Sequence, residues 1–197
     1  MEPDLEQLEA QLESATRDAD ALVAGLTETQ AHWRAASGSW SVSECLDHLA
    51  TTNRVYLAAM QKPAVHARQT GPLRRGPATP GLLGRWFIQM SEPPVRPAFR
   101  VKAPKVIEPR QSPGLCETFE GFTSSQQEVT AFLREYADLD LASIRFANPF
   151  LRGVRFSLAT GLHIIAVHER RHLWQAWRVR KAEERSVREA EASDRRG

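Results

Sequence analysis

The run His168-Glu169-Arg170-Arg171-His172 sets two imidazoles one helical turn apart, with a carboxylate beside the first. It fits H-E-x-x-H, which in many proteases holds zinc and supplies a general base. What such a run can do depends on where its side chains point. Taking about 100° per residue with His168 as origin, Leu158, Gly161, Ile164, Ile165, His172, Gln175, Ala176 and Val179 fall within about 80° of it. Both histidines therefore belong to an apolar stripe that should face a core. A buried imidazole has two ring nitrogens to satisfy, and a pair at i and i+4 doubles the demand. His48 raises the same problem elsewhere, on a stripe with Glu44, Cys45, Thr52, Val55 and Ala59. A divalent ion answers all three at once. Neutral imidazole binds zinc, nickel or iron, and three nitrogens leave coordination positions open, as in catalytic rather than structural sites. Such a centre activates water for hydrolysis or holds a thiol for attack. Hydrogen-bonded packing of inward histidines is the competing reading, and helical geometry alone leaves both standing.

Around this trio, Glu44 is the candidate proton acceptor, with an N-terminal capping box as its alternative role. Gln175 can orient the ligands from behind. Cys45 faces inward and reads as packing, and Cys116 has no visible partner. Trp40 anchors the start of its helix or, alternatively, walls a pocket. Glu169 points about 100° from His168 and is expected to face solvent or a subunit contact. His163, about 140° away, and His32 and His66 in expected loops stay outside the cluster. A zinc protease is the weaker reading. It needs a further ligand downstream and a sheet edge for the peptide, yet a short charged tail follows His172 and no strand alternation is evident.

The elements that would position these residues are helical. Leu5, Leu8, Leu12, Ala15, Ala19, Leu22 and Leu26 recur in steps of three and four, which predicts a helix over about 4–25. Trp40-Ser41-Val42-Ser43-Glu44 opens a second over 40–60, ended by Lys62-Pro63. A third covers about 117–137, with Phe122, Val129, Phe132, Leu133 and Tyr136 inward. Ser157 caps a fourth over 157–182. Between the second and third helices, residues 63–115 carry ten of the twelve prolines. They read as one long crossover, with a short helix at 81–90 packed on the body. The expected architecture is all-α: a single domain over 1–182 built as a four-helix bundle, then a charged tail at 183–197 expected to be disordered.

Composition excludes more than it selects. The chain has 197 residues, net charge +2 and two distant cysteines. It is not a disulfide scaffold, and a reducing cytoplasm is the expected location. No apolar run reaches the roughly 18 residues of a membrane helix. Arg74, Arg75, Arg178, Arg180 and Lys181 suggest nucleic acid only weakly, since a basic helix end suits the helix dipole. The back of the fourth helix is also apolar, through Leu162, Ala166, Leu173 and Trp177 with Trp174 beside them. Either the 81–90 helix or a second subunit must cover it, and a two-fold homodimer through Leu173, Trp174 and Trp177 is expected.

W-S-V-S-E-C-L-D-H-L at 40–49, followed far downstream by H-E-R-R-H-L-W-Q at 168–175, resembles the DinB/YfiT-like family over roughly residues 5–180. The resemblance implies a four-helix bundle, often dimeric, with a divalent ion held by His48, His168 and His172. It also implies a small-molecule substrate. Some members resemble S-transferases or isomerases that use low-molecular-weight thiols, and many are regarded as metal-dependent hydrolases. The 63–115 crossover is longer than the simple bundle requires, so the substrate does not carry over.

Overall fold

The structure is a computed structural model that describes residues 2–94 and 103–195. Four long helices dominate it: α1 (Pro3–Val23), α3 (Val42–Thr70), α5 (Leu115–Glu135) and α6 (Leu158–Asp194). Two short ones, α2 (Glu28–His32) and α4 (Leu82–Ser91), and a 3-10 turn (Lys105–Ile107) lie between them. The long helices pack α3 against α5 and α6, and α1 against α5 and α6. None of the described helices is long and apolar enough to cross a membrane.

The stripe on α1 is buried from Leu5 to Leu22, because apolar residues three and four apart share one face. Gly25 then turns the chain with φ +73°, a backbone region open to glycine at no steric cost. The polar segment after it, where His32 was expected in a loop, holds α2. Its signal is a capping box: Thr27 accepts from the Gln30 amide, and the Gln30 side chain answers on the Thr27 amide. Ser41 and Glu44 form the same device at the start of α3.

Two expected helix ends lie elsewhere. Pro63 does not stop α3, which continues to Thr70. A proline removes one ladder hydrogen bond, and here Ala64 and Ala67 keep the buried stripe going. Arg68 closes the end on Asp138 at 2.7 Å and lies over the Tyr136 ring. Nor does α6 stop near 182. It runs to Asp194, contrary to the disorder expected of the tail. Glu184 pairs with Arg180 and Arg188 one turn to either side, and Glu183 is buried where Gln30 donates to it.

The crossover is anchored at several points, though its residues 95–102 lie outside the described ones. α4 packs on the first turns of α6, with Phe87 near Phe156 and Arg170 paired to Glu92 at 2.8 Å. Gly84 makes this approach possible: a Cβ there would lie 2.4 Å from Thr160 Cγ2. Gly84→Ala is therefore expected to lift α4 off the body at a cost of about 1–3 kcal/mol. Urea unfolding and faster proteolysis within residues 71–94 would measure it. A short antiparallel pair, β1 (Arg145–Ala147) with β2 (Arg155–Ser157), precedes α6 and buries Phe146 and Phe156. At three residues each, these strands are too short to show alternation in the sequence.

Candidate metal centre

His48 projects from the second turn of α3, and His168 and His172 project from the middle of α6. Each offers a ring nitrogen, and the three nitrogens lie within 4.8 Å of one another. The ring centroids are 4.9 Å apart for His48 and His168, and 4.5 Å for each of the other two pairs. His48 Nε2 lies 3.2 Å from His168 Nε2. His48 and His172 are buried and His168 is half-buried.

The protonation pattern suits a cation. His48 Nδ1 lies 2.6 Å from the Ile107 carbonyl, which can only accept. The ring proton therefore sits on Nδ1, and the Nε2 lone pair is left facing the other two histidines. The Nδ1 atoms of His168 and His172 are buried without a partner. Burial disfavours charge on all three rings and lowers their pKa values, those of His168 and His172 well below the usual histidine value. The rings also disfavour charge on one another, and Arg171 adds to this. Three neutral imidazoles crowded together, their lone pairs answered at most by the one hydrogen bond between His48 Nε2 and His168 Nε2, gain little from each other. A divalent cation would use those lone pairs, so the residues present fit the group that their spacing suggested.

Trp40 lies against the cluster, its ring 4.6 Å from His48 and 5.6 Å from His172. It is a wall of the site as well as an anchor for α3. The Gln175 side chain beside the His172 ring acts to raise its pKa, against the larger effect of burial.

Glu44 is differently occupied. Its Oε2 accepts from the Ser41 amide at 2.8 Å and from Arg34 Nε at 3.0 Å, while Oε1 accepts from Arg34 Nη2 at 2.5 Å. The structure thus gives it the capping role, reinforced by an ion pair. Cys45 is fully buried, and burial pushes its thiol pKa up. Cys116 is exposed and donates to Glu120. His163 sits apart, against the Ala78 carbonyl, and His32 against that of Pro113.

The expectation for Glu169 is overturned. It is completely buried and meets neither solvent nor a subunit. Asn53 of α3 donates to it at 2.8 Å and Gln126 of α5 at 3.2 Å. The apolar back of α6 is covered within the chain by α1. Leu173 is buried in one cluster with Ala15, Ala19 and Leu22, and Trp177 packs on that cluster and donates to Asp18. The burial of Glu169 and of this face has one origin. On the helical wheel the buried arc of α6 is continuous from Ile164 through the histidines to Trp177, spanning about 220°. Glu169 falls well inside that arc, as does His172, and His168 lies nearer its edge.

Fold and site together define a largely helical protein with a three-histidine cluster suited to a divalent ion. Residues 11–176 match the DinB superfamily, and the chain belongs to it. No curated protein and no solved structure matches the chain.

Proposed function

We propose that the chain is a cytoplasmic metal-dependent enzyme acting on a small molecule, with His48, His168 and His172 holding the ion. In this reading the four long helices form the superfamily's four-helix bundle, and the crossover meets the site through Ile107. The observation that carries it is the convergence of three ring nitrogens within 4.8 Å from two separate helices. Bound there, a divalent ion would supply a Lewis acid able to lower the pKa of a water or a thiol. The chain itself holds the rings neutral by burial, fixes the His48 proton on Nδ1 through Ile107, and screens one side with Trp40.

Of the two reactions open to such a centre, transfer of a low-molecular-weight thiol draws more support than hydrolysis. The carboxylates nearest His48 in sequence are committed elsewhere, Glu44 to Arg34 and Asp47 to Arg110. A thiol starts with a pKa near ~8.5, so it asks far less of a protein base than water does.

The test is metal analysis of untagged protein, followed by assays with thiols plus electrophiles and with ester and amide panels. Near-stoichiometric metal and thiol consumption that stops on chelation are expected. Metal without turnover of either kind would leave a non-catalytic binding protein. Absence of metal after reconstitution with zinc, nickel and iron would end the reading.

A further inference from the structure

The His48 proton is fixed by a backbone carbonyl in the crossover, and that carbonyl is itself held in place. Ile107 closes the 3-10 turn and is buried. Three residues on, past Glu108 and Pro109, Arg110 returns to α3 and clasps Asp47, the residue just before His48. The Arg110 amide donates to Asp47 Oδ2 at 2.8 Å, and Nε and Nη2 donate to Oδ1 at 2.9 and 2.6 Å. The fourth contact runs from Nη1 to Glu117 Oε1 on α5 at 2.5 Å. Asp47 is buried, whereas the Arg110 side chain is 57% exposed. The intervening Pro109 fixes its own φ, so holding the Arg110 amide constrains the Ile107 carbonyl.

From this we infer that Asp47 and Arg110 are positioning residues for the metal centre. Their clasp straps residues 107–110 onto α3, so that the Ile107 carbonyl keeps His48 in the Nδ1–H form with Nε2 turned to His168 and His172. The inference rests on the metal reading above, but its first readout needs no metal. Charge alone predicts the opposite sign for one variant. Removing the Arg110 guanidinium deletes a positive charge near the site and leaves Asp47 unpaired, which should favour a bound cation. Loss of the strap should weaken it.

The experiment uses the full chain. Ring nitrogen NMR on metal-free protein reports the His48 tautomer, and cobalt(II) titration reports affinity. The unaltered chain is expected to show Nδ1–H at His48. Arg110→Ala and Asp47→Ala are expected to reduce that population and to weaken cobalt binding roughly 10- to 100-fold, as lost outer partners of metal-bound histidines do. Arg110→Lys should recover part of the loss. Arg54→Ala, which breaks an exposed pair with Glu128 in the same groove, should stay within about twofold on both readouts. Should Asp47→Ala fail to fold, the exposed Arg110 position decides. An unchanged tautomer in Arg110→Ala, or equal or tighter cobalt binding, overturns the inference. So does Nε2–H at His48 in the unaltered chain. If the unaltered chain binds no cobalt, the metal reading fails, and the tautomer still decides whether the strap acts on His48.

Discussion

His172→Ala is expected to weaken divalent-ion binding by roughly two to three orders of magnitude. A closed four-donor zinc site contributes roughly 10–16 kcal/mol, so one donor in four accounts for about 2.5–4 kcal/mol, at about 1.4 kcal/mol per tenfold. His168→Ala and His48→Ala should behave alike, because each contributes one nitrogen to the same cluster. The thermal readout follows by linkage. A ligand at a thousand times its Kd adds about 4 kcal/mol to stability, and little of that would survive the substitution. Calorimetry with and without zinc checks it. A metal-dependent gain of the same size in both chains would sink the three-ligand site. The metal-free baseline carries its own sign. These rings titrate lower in the folded chain than in the unfolded one, so below about pH 6.5 the unfolded chain takes up protons that the native one refuses. Stability and ion binding should therefore both decline as pH falls through that range. His172→Leu separates packing from ligation. It removes a buried Nδ1 without a partner and should leave the metal-free chain at least as stable, while losing the response to zinc.

Much of this site was legible because its signal is periodic. His168 and His172 share a helix stripe with Ile164 and Ile165, and His48 shares one with Cys45 and Thr52. Helical period alone puts such side chains inward. The long elements were legible for the same reason, and Ser41 and Ser157 announced two of their starts. What the sequence withheld depends on contacts distant along the chain. Nothing local says that Ile107 will meet His48, 59 residues away, or that Arg110 will meet Asp47. Nor does local sequence foretell Arg34 engaging Glu44, which turns a candidate base into a reinforced cap. The ends of α3 and α6 were misplaced because a proline and a polar tail were judged by propensity. Burial of Ala64, Ala67 and Glu183 decided otherwise.

Glu169 shows the limit of reading a helix as one apolar face and one polar face. A helix packed on three neighbours has little outer surface, and a carboxylate can fall within its buried arc. There, burial raises the Glu169 pKa to about 8, although the hydrogen bonds from Asn53 and Gln126 oppose this. The unfolded residue gives up its proton near the model-compound value of 4.5. Between those two values the native chain holds a proton that the unfolded chain has released. This group's contribution is therefore complete below about pH 4.5 and is lost as pH rises through about 8.

Glu169→Gln removes that titration. In metal-free protein the two chains should be close in stability at pH 5, and the variant should be more stable at pH 9 by on the order of 4 kcal/mol. The histidine contributions are common to both and cancel in the difference. The new N–H donors have acceptors within reach: Asn53 Oδ1 and Gln126 Oε1 are buried without partners, and rotation of either amide presents one. Glu169→Leu lacks that remedy. It strips the shared acceptor from two buried amides, at about 1–3 kcal/mol for each donor left unpaired, and should destabilise the chain at pH 5, with the deficit shrinking towards pH 9 as the unaltered chain loses the Glu169 contribution. Urea unfolding at pH 5, 7 and 9 distinguishes these outcomes. A Glu169→Gln chain whose stability follows the unaltered chain in parallel from pH 5 to 9 would mean that Glu169 is already ionised in the core, held there by Asn53 and Gln126 against the cost of burial.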